Sequence, residues 1–394
     1  MRRTTRTSRA GIGAVAATAA LLLAACGTGG TSDGGGAAGG GTAATNTACA
    51  STTKVKLQLQ WVAQSQFAGY YAAKDTGLWA KECLDVTIVE GGVDIVPQTQ
   101  LATGAVDFAI AWVPKALASR EQGAKITDIG QIYQRSGTLQ VSWKDSGLTS
   151  AASLAGKKVG NWGFGNEFEL FAGLQKAGVN PKSGVTLVQQ QFDMQAFLKG
   201  DIDAAQAMSY NEYAQVLEAK NPATGQLYQP ADFNVINWND DGTAMLQDAI
   251  WANTEKLSDQ AYQDQTVKFI AASLKGWIYC RDNVDSCRDI VVKAGSKLGA
   301  SHQQWQVNEV NKLIWPSPSA GVGTIDPTAW AQTVKVARTA VNADGQTVLT
   351  KDPDDKAYTN DYVTKAIEQL KAQGVDVVGA NYKPETVTLK ADGA

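Results

Sequence analysis

From residue 54 onward, short apolar runs alternate with segments whose apolar positions recur at helical spacing. Val55-Lys56-Leu57-Gln58-Leu59 alternates strictly, which predicts a strand over 54–60 that ends just before Trp61. A helix is predicted over 67–76, closed by Gly77, and then a strand over 85–89. Pro97 opens a helix that Gly104 stops, residues 107–111 form a strand, and Pro114 and Gly123 frame the next helix. The order then recurs, with strands at 158–161, 185–189 and 204–208 and helices at 167–177 and 194–199. Strands alternating with helices at this spacing predict βαβ units and parallel sheet.

The recurrence extends to single residues. Leu101-x-x-Gly104-x-Val106-Asp107-x-Ala109 matches Phe197-x-x-Gly200-x-Ile202-Asp203-x-Ala205, at the same point of two βαβαβ units. Two similar α/β lobes are expected. Amphipathic stretches at 330–341 and 362–373 are expected to be helices that wrap the first lobe.

The N-terminal pattern is of another kind. Arg2, Arg3, Arg6 and Arg9 precede an apolar run over 12–25 that is too short to span a bilayer. Small residues and a cysteine close it, Leu23-Ala24-Ala25-Cys26, which is similar to a bacterial lipobox. This predicts a signal peptide over 1–25 and acylation of Cys26, placing the mature chain on the outer face of the cytoplasmic membrane. Residues 26–53, almost all Gly, Ala, Ser and Thr, cannot bury enough surface to offset their ordering entropy and read as a flexible spacer.

Composition narrows the function. The 394 residues are 44% hydrophobic and carry a net charge of −3 without basic blocks, so nucleic acid is not an expected partner. The single histidine, His302, sits in the polar stretch Ser301-His302-Gln303-Gln304 and reads as part of a solvated helix start. No catalytic residue, metal site or cofactor is expected. Besides Cys26 there are Cys49, Cys83, Cys280 and Cys287, which suit disulfides in an exported chain, with three pairings open. Cys280 and Cys287 flank a turn and can meet locally, which would leave Cys49 with Cys83.

Four tryptophans close strand-like segments: Trp61, Trp112, Trp162 and Trp238. Ligands bind outside the carboxyl ends of strands in open parallel sheets, so these rings are candidate walls of a cleft. Tyr70 and Tyr210 extend the set. Polar neighbours are mostly amides and carboxylates: Gln64 and Gln66, Asn166 and Glu167, Asn211 and Glu212. Rings with acceptors suit a flat, neutral or weakly basic nitrogen heterocycle. The rival is a small anion held by Arg135 and the backbone of Gly163-Phe164-Gly165-Asn166.

Residues 57–77, reading Leu57-Gln58-Leu59-Gln60-Trp61-Val62-Ala63-Gln64-Ser65-Gln66-Phe67-Ala68-Gly69-Tyr70-Tyr71-Ala72-Ala73-Lys74-Asp75-x-Gly77, resemble the opening of the NMT1/THI5-like substrate-binding proteins. Gly160-Asn161-Trp162-x-x-Gly165-Asn166-Glu167, Met208-Ser209-Tyr210-Asn211-Glu212-Tyr213 and Leu313-Ile314-Trp315-Pro316 extend the resemblance over 54–316. It implies a type II periplasmic-binding-protein fold, with mixed, mostly parallel sheets in two lobes joined by two crossing segments. The first lobe would comprise 54–143 and 249–394, the second 144–248. The implied role is a monomeric receptor of an ABC importer that hands a small molecule to a permease and its ATPase. A thiamine pyrimidine precursor is the first expected ligand and a flavin the second. One enzymatic branch, the fungal pyrimidine synthase, uses an active-site histidine whose place is taken here by Phe67, so that chemistry is not expected.

Overall fold

A computed structural model describes residues 49–394. The expected signal peptide, Cys26 and most of the expected spacer lie outside these residues.

In chain order, the first part holds β1 (Thr53–Gln58), α1 (Ala68–Asp75), α2 (Leu78–Lys81), β2 (Leu84–Val89), α3 (Pro97–Ala102), β3 (Phe108–Trp112), α4 (Val113–Glu121) and β4 (Ile126–Gln131). The second holds β5 (Thr138–Trp143), β6 (Lys158–Asn161), α5 (Phe168–Lys176), β7 (Thr186–Gln189), α6 (Gln195–Leu198), β8 (Ala204–Met208), α7 (Glu212–Glu218), β9 (Phe233–Asn237) and α8 (Trp238–Asp241). The chain then runs through β10 (Asp248–Asn253), α9 (Gln260–Asp282), α10 (Val284–Lys293), α11 (Ala300–Ile314), α12 (Pro327–Thr339) and α13 (Asp361–Ala372).

Two five-stranded sheets result, ordered β2-β1-β3-β10-β4 and β7-β6-β8-β5-β9. The βαβ units do form parallel pairs, β1 with β2 and β3, β6 with β7 and β8. The parallel expectation fails at the fourth strand of each sheet. After β4 the chain crosses to β5, which lies antiparallel between β8 and β9. It returns after β9 to β10, antiparallel between β3 and β4. The type II fold with two lobes is thus present, each lobe built on one sheet.

The repeated motif has a physical role. Asp107 and Asp203 each clamp the neighbouring parallel strand: Lys56 N donates to Asp107 Oδ2 at 2.9 Å, and Lys158 N to Asp203 Oδ2 at 2.8 Å. In return, each aspartate N–H bonds the same lysine's carbonyl. Gly104 and Gly200 stop the preceding helices at φ 76° and 79°, where a side chain would be strained.

The crossing segments hold one another. Gln247 accepts from Gly137 N at 2.8 Å and donates to Ser136 and Thr138 hydroxyls. Glu169, on α5 and buried, accepts from Ser136 Oγ at 2.9 Å and Met245 N at 2.6 Å, so one carboxylate bonds both crossings. Burial pushes that carboxyl up to about 7, against the hydrogen bonds that lower it.

Cys49 is joined to Cys83, with Cα atoms 5.6 Å apart, and Cys280 to Cys287 across the α9–α10 turn, 5.3 Å apart. On the core side, α1 sits against α9 with no space between their backbones. A Cβ on Gly69 would lie 2.2 Å from the Trp277 ring, and one on Gly276 2.0 Å from the Gly69 carbonyl.

The tail departs from expectation. Only α13 packs on the first lobe alone, against α9 and β4. Helix α12 touches α4 and also α5 of the second lobe. Thr333 Oγ1 accepts from Leu246 N, and Gln175 Oε1 of α5 accepts from Val341 N just past the helix. The tail's apolar faces have two lobes to cover, and α12 bridges them.

His302 also departs from the solvated reading. It is 1% exposed, with Nδ1 2.8 Å from Glu218 Oε1 and Nε2 3.0 Å from Asn211 Oδ1. His302 itself serves the contact between α11 and α7, while Gln303 accepts from Ser65 N and Oγ of the first lobe and Gln304 donates to Asp285 of α10.

Candidate functional site

The carboxyl ends of the parallel strands from both sheets meet at a cleft of about 610 Å³. Gln60, Trp61, Gln64 and Gln66 enter it after β1, and Trp112, Pro114 and Lys115 after β3. From the second sheet come Trp162 and residues 164–166 after β6, Phe192 after β7, and Tyr210, Asn211 and Glu212 after β8. Strand ends deliver these side chains because a parallel βαβ unit always turns into its helix at the same edge.

Aromatic rings line both walls. Trp61 and Phe192 meet across the cleft, centroids 4.9 Å apart at 51°, and Trp162 lies 5.9 Å from Phe192 at 20°. The indole N–H groups of Trp112 and Trp162 are buried without a partner among the described residues. A buried donor left unpaired is costly, so two in one cleft point to ligand acceptors.

Beneath the first wall lies Asp248, 2% exposed, whose carboxylate accepts from Gln60 Nε2 at 2.5 Å and Gln66 Nε2 at 2.8 Å. Burial pushes its carboxyl up to about 7, while the bond from Gln66, the facing Trp112 indole N–H and the Lys115 charge oppose the shift. Gln66 Oε1 takes a further bond from Gln64, and the Gln66 carbonyl one from Tyr133. On the other wall, Glu212 accepts from Met208 N at 2.9 Å and Asn211 Nδ2 at 2.8 Å, and Asn166 Nδ2 donates to the Gly163 carbonyl. Burial raises the Glu212 carboxyl. The carboxylate oxygens of Asp248 and Glu212 are therefore already bonded by the protein.

Eight of the eleven predicted ligand residues line the cleft: Trp61, Gln66, Trp112, Trp162, Asn166, Tyr210, Asn211 and Glu212. Three do not. Tyr70 is in the first-lobe core, edge-on to Trp277 at 5.5 Å, because α1 turns that face towards α9. Trp238 is fully buried and packs where a Cβ on Gly173 of α5 would meet its ring at 2.3 Å. Glu167 holds the N-cap position of α5 without a side-chain capping bond and is 9% exposed, and burial raises its carboxyl against its own loop amides. The proposed anion clamp is not assembled either: Arg135 donates to the carbonyls of Lys312, Leu313 and Pro316 at the end of α11.

Sequence reasoning missed Gln60, Asp248, Phe192 and residues 92–98. A usable signal existed for the last. Val93, Ile95 and Val96 are apolar residues in a loop, and they are exposed at the cleft mouth. Phe164 joins them, 77% exposed at φ 54° between two left-handed glycines. The described residues contain no group of metal-ligating side chains.

A family model described as NMT1/THI5 like matches residues 64–286. Riboflavin-binding protein RibY of Chloroflexus aurantiacus is 26% identical over 321 residues, 79% of this chain and 86% of that protein. The formylaminopyrimidine-binding protein of Halalkalibacterium halodurans is 21% identical over 243 residues, 60% of this chain and 69% of that protein. A 4-amino-5-hydroxymethyl-2-methylpyrimidine phosphate synthase of Aspergillus parasiticus is 25% identical over 169 residues, 43% and 49% of the two chains. Among solved structures, the periplasmic aliphatic sulphonate binding protein SsuA of Escherichia coli superposes with a TM-score of 0.57 at 15% identity. That match covers 86% of this chain and 94% of the other, a likeness of fold.

Proposed function

We propose that this chain, which belongs to the NMT1/THI5-like family, is an extracytoplasmic solute receptor for an aromatic nitrogen heterocycle, working with the permease and ATPase of an ABC importer. The observation that carries the reading is the cleft walled by Trp61, Trp112, Trp162 and Phe192 at the ligand edge of both sheets. Stacked rings suit a flat ligand, and a cleft of this volume admits either a pyrimidine or a flavin. Relatives named for riboflavin and for formylaminopyrimidine support that class.

On this reading 54–143 with 249–394 forms one lobe and 144–248 the other, and ligand binding closes them about the crossings at 132–137 and 242–247. Cys26 would carry the lipid anchor, with the spacer holding a monomeric receptor off the membrane. The enzymatic alternative finds less support. Phe67 stands at the histidine position and is fully buried in the first-lobe core.

The test is a thermal-shift panel of pyrimidines, flavins, taurine and nitrate, because a ligand at 100 Kd stabilises by about 2.7 kcal/mol. A shift with a pyrimidine or flavin, and a smaller scattering radius on binding, is expected. A shift with taurine or nitrate alone would remove the heterocycle. Turnover of the bound compound would remove the receptor class. Fatty-acid labelling that persists in Cys26→Ala would remove the anchor.

A further inference from the structure

Resting on the receptor reading, we infer that Lys115 selects the ligand: the bound ring bears oxo groups, as in a lactam or imide, and one of these oxygens docks on the Lys115 ammonium. The donors and acceptors left free in the cleft carry this assignment. Counted along the sequence, amides and carboxylates make the site acceptor-rich. In the folded chain the oxygens of Asp248 and Glu212 are bonded to Gln60, Gln66, Met208 and Asn211. Asn211 Oδ1 lies against His302 Nε2, and Gln66 Oε1 takes Gln64.

What remains includes donors. Trp162 Nε1 has no partner among the described residues, Trp112 Nε1 faces the Asp248 carboxylate without reaching hydrogen-bond geometry, and both residues line the cleft from opposite lobes. Lys115 lies on the first turn of α4, Nζ 5.3 Å from the centre of the Trp112 ring, with its stem beside Gly165 of the other lobe. No hydrogen bond or ion pair reaches its Nζ among the described residues. The nearby carboxylates of Glu167 and Asp248 raise its proton affinity only partly, and burial prevails, pushing the ammonium down to about 8. A partly buried cation without a hydrogen-bonded partner, set against the Trp112 ring in the cleft, is completed by an acceptor. Gln98 Oε1, buried and unpartnered at the cleft lining, supplies one acceptor for a ring N–H. Gln60 Oε1 and Asn166 Oδ1 are further acceptors at the lining, and the Lys115 ammonium beside Gln98 Oε1 matches a carbonyl flanking a ring N–H. An aminopyrimidine offers the ammonium only ring nitrogens and a hydroxymethyl oxygen in place of an oxo group.

The experiment is titration calorimetry of the full chain with riboflavin and lumichrome, which bear ring oxo groups, and with 4-amino-5-hydroxymethyl-2-methylpyrimidine, which has none, and taurine. The oxo rings should bind more tightly, and Lys115→Met should weaken them by about tenfold or more. Lys115→Arg should retain most of the affinity. In the wild type, affinity for an oxo ring should hold below pH 8 and fall above it by up to about tenfold per pH unit. Lys115→Met should lose this pH dependence. Lys115→Arg, which stays protonated, should keep its affinity above pH 8, and this separates Lys115 from the nearby Asp248 carboxyl even if Lys115→Met misfolds. Tighter binding of the aminopyrimidine, or an oxo ring bound equally by Lys115→Met, overturns the role of Lys115 and leaves the receptor standing. Binding of taurine alone, or of none of the four, overturns both.

Discussion

The two walls of the cleft are made by the same βαβ order and behave differently. After β1 the loop is held at several points: Ser65 N bonds Gln303 and Gln306 of α11, Gln66 bonds Asp248, and the Gln66 carbonyl bonds Tyr133. After β6 the equivalent loop is Gly163-Phe164-Gly165, three residues at positive φ, with its phenylalanine in solvent. The first wall is preformed because α1, α9 and α11 bury its backbone. The second is anchored by the buried Gln206 at Trp162 N and the Asn166 carbonyl, and the glycine-flanked stretch between them is the part suited to move onto a ligand. Topology alone sets where a loop lies, whereas what packs behind it sets how firmly it is held.

The largest test of this contrast is at the base of the first wall. Gly69→Val places atoms inside the Trp277 ring, and overpacking should cost about 3 kcal/mol or more, read by urea unfolding. A cost under about 1 kcal/mol would mean that α1 shifts freely and that the first wall is not fixed.

Next comes the joint between the walls. Glu169→Ala leaves Met245 N and Ser136 Oγ without their acceptor, and should cost about 2 kcal/mol. The same carboxyl gives a pH signature. Its folded value is raised from 4.5 to about 7, so the folded state holds its proton where the unfolded chain has lost it. Stability should therefore fall as pH rises from about 4.5 to 7, by at most about 1.4 kcal/mol per unit from this group. Glu169→Gln should flatten that contribution in pH-dependent denaturation, and an unchanged slope would count against it.

Smaller effects are expected from the rings themselves. Trp61→Ala, on the held wall, should weaken ligand binding about tenfold, and Phe192→Ala, on the looser wall, a few-fold. The reverse order in calorimetry would invert the contrast. Least of all should come from Phe164→Gly, which removes an exposed ring and relieves a left-handed residue. Its stability should change by no more than about 0.5 kcal/mol, measured by thermal melting.

Much of the architecture was legible because apolar periodicity and glycine stops are local signals. The echo at Asp107 and Asp203 was read as a sign of two similar lobes, and it marks a strand clamp in each. β4 and β5 were not read. Thr127, Asp128, Gln131, Gln140 and Ser142 look like solvent-facing positions and are all buried. Their hydrogen bonds run to distant partners: Gln140 Nε2 donates to the Gly160 carbonyl, and Ser142 Oγ to the Leu148 carbonyl. A polar residue satisfied across the fold leaves no mark in local periodicity.

By itself, the sequence determined most of the strands and helices and the strand ends at which Trp61, Trp112 and Trp162 line the cleft, since these follow from residue period and the geometry of a βαβ turn. It did not determine the sign of the site's free polar capacity. Whether an amide or carboxylate can still bond a ligand depends on which groups come within 3 Å after folding. Only the tertiary structure spent the acceptors of Asp248 and Glu212 on the protein, drew Arg135 to the end of α11, and left Lys115 and two indoles as unpaired donors.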